Sequence, residues 1–185
     1  MKRRKLIVTL TLSALFCTLI CVGSFIRIPM PNMMPMTLQT FFVLLTALAL
    51  PLKASTLAVI TYVALGLVGL PIFSGGGGLG YVLMPNFGFI IGFVIATVII
   101  SVLTQKLKNR KLWHYIVISF LGITVIYIIG ILYFACITNI LNNNDYTVIW
   151  LIQTLFLPFL PKEIICVILA SLSAYKIRPY ITKIK

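Results

Sequence analysis

The sequence gives acid–base chemistry very little to use. Its 185 residues hold two acids, Asp145 and Glu163, and one histidine, His114, against fifteen Lys and Arg. Proton transfer and hydrolysis draw on paired carboxylates, or on a nucleophile beside an oriented base. No such set is present: Asp145 stands in the polar run "TNILNNNDYT" and His114 abuts a basic stretch. The cysteines, Cys17, Cys21, Cys136 and Cys166, all lie inside apolar segments and form no CxxC. Zinc needs grouped ligands, so they read as small apolar residues. No cofactor and no metal is expected, and an enzyme has little to stand on. What remains is recognition. Glu163 follows Lys162 and a proline pair at the start of an apolar run. A charge at membrane depth costs about 2.5–3.5 kcal/mol on insertion scales, so it usually pairs or serves function. The plainer alternative is a helix end from which both side chains snorkel to water.

The other unusual stretch is "LPIFSGGGGLGYVLMPNFGF", Leu70 to Phe89. A P-loop needs glycines that lead into Lys-Ser/Thr and a helix. Here Gly75–Gly78 lead into Leu79, Gly80 and Tyr81, so nucleotide binding is rejected. Glycines let backbone approach closely. Four of them between Phe73 and Tyr81 make an aromatic-edged lid able to fold over a ligand. A merely flexible external loop is the alternative.

These residues must be positioned by apolar helices. Composition is 61% hydrophobic and 9% charged, where a soluble domain carries about 25% charged residues. Apolar runs of near-spanning length recur, so the expected fold class is all-α: a polytopic membrane protein, one domain over residues 1–185. Spans are read at 6–26, 38–52, 54–70, 87–105, 113–137 and 161–175, with 147–157 as an interfacial or re-entrant helix. The first is retained, because 6–26 is long for a signal segment and no A-x-A site follows. This six-transmembrane-helix bundle puts both termini on one side. Thirteen basic residues then fall on the side of the termini and two, Arg27 and Lys162, on the other. Positive loops favour the cytoplasm, so both termini are expected cytoplasmic and the glycine loop external. The basic residues sit at the ends of apolar runs, which argues against nucleic acid. They also suit anionic membrane lipid, although plain topology signalling explains them.

The order of motifs is specific. A Thr-Leu-Gln-Thr (37–40) follows a proline-rich loop, a G-L-x-G-L-P-x-F (66–73) precedes the glycine run, and a P-x-x-G-F (85–89) follows it. Over Ile28–Phe93, and again at "LPFLPKEIICVILA", the chain resembles the BioY family, the biotin-binding S components of energy-coupling factor (ECF) transporters. The resemblance implies a six-helix bundle in the cell (plasma) membrane of a prokaryote, with biotin held near the outer face. It also implies an ECF transmembrane coupling subunit and two ATPase subunits as partners. Biotin offers ureido N–H donors, a carbonyl acceptor, apolar ring faces and a carboxylate. On this resemblance Glu163 accepts from the ureido group, and Gln39 and Asn86 donate and accept. Phe73, Tyr81 and Phe87 cover the ring, and the amides of Gly76 and Gly77 meet ring or tail.

Two departures stand out. The family's last helix usually carries Asp-x-x-Lys; here Glu163 holds the acid position and Cys166 the lysine position. Lys162 lies at i and i+4 with Cys166 and is expected to supply the missing ammonium, with Arg27 as a second candidate. The family's first helix usually shows A-x-x-x-A where it meets the coupling subunit. Here the spacing gives Ala14 and Thr18 as partner-binding residues, with Ser13, Cys17 and Cys21 a second small stripe; ordinary packing within the bundle is the alternative. Competing readings are the same architecture for another vitamin, a small ion-coupled transporter using Glu163, a membrane enzyme and a structural membrane protein.

Overall fold

The computed structural model describes residues 2–30, 34–107, 111–141 and 146–183. Asp145 and parts of the proline-rich, basic and asparagine-rich loops lie outside the described residues. In a bilayer every backbone polar group must be satisfied within its own segment, so the apolar runs coil and break where proline or glycine intervenes. The helices are α1 (Lys2–Phe25), α2 (Gln39–Ala49), α3 (Leu52–Val68), α4 (Phe87–Lys106), α5 (Leu112–Cys136), α6 (Val148–Leu155) and α7 (Leu160–Lys183). The all-α expectation holds apart from a two-residue antiparallel ladder, β1 (Arg27–Ile28) with β2 (Met36–Thr37), which pairs Arg27 with Thr37. Pro51, extended at ψ 150°, separates α2 from α3, and Gly69 at φ 117° ends α3. That left-handed turn lets the Leu70 amide donate back to the Leu65 carbonyl, a helix stop that glycine takes at least cost. Gly69 therefore terminates α3; nothing lies within 4 Å of where its Cβ would be.

Among the described residues, four segments are long and apolar enough to cross a membrane: Arg3–Phe25, Phe87–Lys106, Leu112–Ile140 and Ile149–Thr182. The stretch read as a second span is shorter than expected. α2 has 11 residues, about 16 Å at 1.5 Å per residue, against a hydrocarbon core of about 30 Å. Every residue from Val43 to Leu50 is buried, because α1, α4, α5 and α7 all pack on α2. It is a short central post surrounded by protein.

The last helix runs beyond the expected Tyr175 to Lys183. Arg178, read from sequence as a charge in the tail, is 3% exposed and its guanidinium donates to the Leu48 carbonyl. A cation there meets the last carbonyls of α2, where the helix dipole favours it. The short helix α6, over the stretch read at 147–157, and a 3-10 turn (Leu157–Phe159) precede α7.

α4 and α5 form the tightest pair. Gly88 and Gly92, one turn apart, face α5 so closely that a Cβ on Gly92 would lie 3.0 Å from the Ile126 Cα and carbonyl oxygen. Small residues at such spacing let helix backbones touch in lipid. Gly92→Val is expected to destabilise the bundle by about 1–3 kcal/mol through overpacking, seen as a lower unfolding midpoint in detergent. Ile95→Val, at an outward-facing position, should leave the midpoint unchanged.

Candidate ligand-binding site

A cavity of about 30 Å³ lies where the first turns of α2, α4 and α7 converge below the glycine loop. Thr37, Gln39 and Thr40 line it from the first turn of α2 and the strand before it, and Ser74 and Tyr81 line it from the loop. Asn86, Phe89, Tyr127, Phe159, Lys162 and Glu163 also line it, with apolar residues such as Ile90, Phe93 and Ile126. That volume holds about one or two waters.

The charge pair sits in this wall. Lys162 Nζ lies 2.6 Å from Glu163 Oε1, and Glu163 is 4% exposed. Tyr127 OH and Thr40 Oγ1 donate to the same oxygen at 3.1 and 3.3 Å. Lys162 also donates to the Thr37 carbonyl at 3.2 Å and to Thr40 Oγ1 at 3.5 Å. Both side chains therefore turn inward, away from the snorkelling alternative. Breaking such a pair strands a buried charge, which holds the start of α7 against α2 and α5.

A second polar chain fixes Gln39. Its Oε1 accepts from Thr37 Oγ1 at 3.3 Å and its Nε2 donates to Tyr62 OH. Tyr62, fully buried on α3, passes its own proton toward the Ile72 carbonyl at 3.4 Å. The recognition amide of α2 is thereby tied to the loop that covers the cavity.

That loop is a built structure. The Phe73 amide donates to the Gly76 carbonyl at 2.9 Å and the Gly76 amide returns to Phe73 at 3.2 Å. The Gly78 amide donates to the Gly66 carbonyl at 2.7 Å, and a 3-10 turn (Leu79–Leu83) leads on toward α4. Three side chains from other elements tether it: Arg27 on the Ser74 carbonyl, Tyr62 on Ile72, and Tyr133 on Val82. Aromatic rings support it from below. Phe73 lies 5.4 Å from Tyr62, 4.8 Å from Tyr81 and 6.4 Å from Phe87. Gly66 makes room for Phe73, whose ring a Cβ would meet at 2.1 Å.

The structure brings Gln39, Tyr81, Asn86, Lys162 and Glu163 to one cavity. Phe73 and Gly76 line a separate cleft with Arg27. Gly77 packs against the Leu70 carbonyl, and Phe87 sits in the ring cluster between Tyr81 and Tyr133. The Asn86 side chain does not cap α4. Lys162 and Cys166 share an apolar groove between α2 and α7, as their spacing requires. Thr40 and Tyr127 escaped the sequence reading. Thr40 was legible as the last residue of the Thr-Leu-Gln-Thr motif; Tyr127 carried no signal beyond being a hydroxyl within a long apolar helix.

On α1 the two small stripes differ in burial. Ser13 and Cys17 are buried, and Ser13 Oγ donates to the Ala54 carbonyl of α3 at 2.9 Å. Ala14 and Thr18 are exposed, with Thr18 Oγ1 on the Ala14 carbonyl at 3.0 Å.

Comparison with known proteins agrees with this architecture. A crystal structure described as the S-component for biotin from an ECF-type ABC transporter superposes with a TM-score of 0.85 at 26% identity, over 97% of this chain and 95% of that one. "Biotin transporter BioY" of Thermotoga maritima is 35% identical over 167 residues, 90% of this chain and 93% of the relative. "Probable biotin transporter BioY" of Lysinibacillus sphaericus is 36% identical over 143 residues, 77% of this chain and 72% of the relative. The BioY family profile matches residues 1–183, and the chain belongs to the BioY family.

Proposed function

We propose that this protein is the substrate-binding membrane subunit of an ECF-type transporter and that it takes up biotin. It is a transporter subunit and not an enzyme. The observation that carries the reading is the buried Glu163 carboxylate: one oxygen is held by Lys162, Thr40 and Tyr127, and the other, Oε2, is buried with no hydrogen-bond partner among the described residues. A fixed acceptor in a ring-lined cavity suits a ureido N–H. Gln39 and Asn86 add donors and acceptors for the rest of the ligand, and Tyr81 closes over it. Phe73 and Phe87 back Tyr81 from the ring cluster, and Gly76 and Gly77, which stand outside the cavity, belong to the loop that covers it. The ion-coupled reading is not favoured: Glu163 is already paired with Lys162, and no second carboxylate stands near it among the described residues.

The cavity is too small for a bicyclic ring, so the loop over residues 69–86 retracts when ligand enters, as lids do. Six membrane crossings with both termini in the cytoplasm account for the charge bias, which stands without Arg178. The outward face of α1 at Ala14 and Thr18 is the contact for the transmembrane coupling subunit, through which two ATPase subunits supply energy. Residues 1–185 act as one domain in the cell membrane of a prokaryote; bacterial sources of the relatives support that location.

Calorimetry on purified protein should give one saturable site for biotin. Glu163→Ala should weaken it about 10–100-fold, the value of a hydrogen bond to a charged group. Strong heat from another vitamin and none from biotin would overturn the assignment. Unfolding tests the pair itself: Lys162→Met, which leaves a buried carboxylate uncompensated, should cost about 3–5 kcal/mol. The double variant Lys162→Met/Glu163→Leu should recover most of that loss; equal midpoints for the two would show that the pair carries no stability.

A further inference from the structure

Three donors from three elements converge on one oxygen atom. Lys162 Nζ at 2.6 Å, Tyr127 OH at 3.1 Å and Thr40 Oγ1 at 3.3 Å all meet Glu163 Oε1. A carboxylate offers about two acceptor sites on each oxygen, so Oε1 is saturated while Oε2 stays unpartnered. A carboxylate free to turn would share its donors between both oxygens. This one is held: Tyr127 is 5% exposed, and its ring is clamped edge-on by Phe89 at 5.6 Å and Phe156 at 5.1 Å. The direction of its O–H is thus set by packing on α4 and the segment before α7.

The ammonium has nothing spare either. Its three hydrogens face three acceptors: Glu163 Oε1, the Thr37 carbonyl and Thr40 Oγ1. Thr40 accepts from Lys162 and donates to Glu163, so its hydroxyl is used in both directions. This end of the cavity offers a ligand one acceptor and no free donor.

We propose that Tyr127 is a positioning residue: it locks Glu163 with Oε1 occupied, so that Oε2 is presented as a single acceptor for one neutral N–H of the ligand. This rests on biotin being the ligand. It narrows that reading, since one ureido nitrogen meets Glu163 and a ligand carboxylate finds no partner beside α7.

The test is calorimetry on the full chain with biotin and with biotin methylated at one or the other ureido nitrogen. In the unmodified protein, methylating the nitrogen that meets Glu163 should weaken binding about 10–100-fold, and the other nitrogen should matter less. Tyr127→Phe keeps the ring and its packing. It should weaken biotin about tenfold and shrink the penalty for methylating that nitrogen to a few-fold, because the acceptor is no longer held toward it. Weakening of biotin and both methylated ligands by one common factor would mark Tyr127 as structural and overturn the proposal, as would unchanged biotin binding in Tyr127→Phe. If Tyr127→Phe fails to fold, Thr40→Val removes a second donor from the same oxygen and reports the same coupling. No biotin binding by the unmodified protein would overturn the parent reading together with this one.

Discussion

An ion pair inside an apolar bundle constrains this structure more than any other contact. Among the described residues Glu163 has no second acid to share its surroundings, and its neighbour Lys162 points at it from the same turn of helix. Two charges taken out of water need excellent geometry and further hydrogen bonds to hold their place. Those bonds come from elsewhere: the Thr37 carbonyl and Thr40 from the start of α2, and Tyr127 from α5. Satisfying the pair therefore fixes how three helices meet. The shortness of α2 follows the same logic, since its first turn must stop level with Glu163 and its remaining length is enclosed by neighbours.

The loop above the pair obeys a second constraint. Its glycines are spent on close approach and turning, and its aromatics on support. Gly66 admits the Phe73 ring, and Gly77 passes against the Leu70 carbonyl at a distance that no side chain allows. Tethers from Arg27, Tyr62 and Tyr133 hold the outer strand of the loop at three carbonyls. Each is a single hydrogen bond, worth on the order of 1 kcal/mol. The buried rings of Phe73 and Tyr81 and the Gly78–Gly66 backbone bond add to these tethers.

Much of this was legible in the sequence because lipid leaves few options. Long apolar runs must be helices, and prolines such as Pro51 and Pro158 mark where they end; that Gly69 stops α3 came only from the structure. Lys162 and Glu163 stood out because so few charges lie near an apolar run, while Gln39 and Asn86 were indicated only by the resemblance to the family. What was not legible depends on contacts between segments far apart in the chain. The shortness of α2 was not legible because hydropathy cannot say whether lipid or protein surrounds a helix. Arg178 looked like a loop charge because its partner, the Leu48 carbonyl, is 130 residues away. Tyr127 was hidden for the same reason, since only the fold sets its hydroxyl against Glu163, 36 residues on. Which of the stripes on α1 is buried likewise waited on knowing which side α3 occupies.

The central claim is that the cavity walled by Gln39, Tyr127 and Glu163 receives biotin by its ureido ring. A structure of the protein crystallised with biotin tests it most directly. The account predicts a ureido nitrogen within hydrogen-bonding distance of Glu163 Oε2, the ring beneath Tyr81, and the loop displaced outward from its present position. Biotin seated instead in the cleft beside Arg27 and Gly76, with the Glu163 cavity still closed, would contradict it.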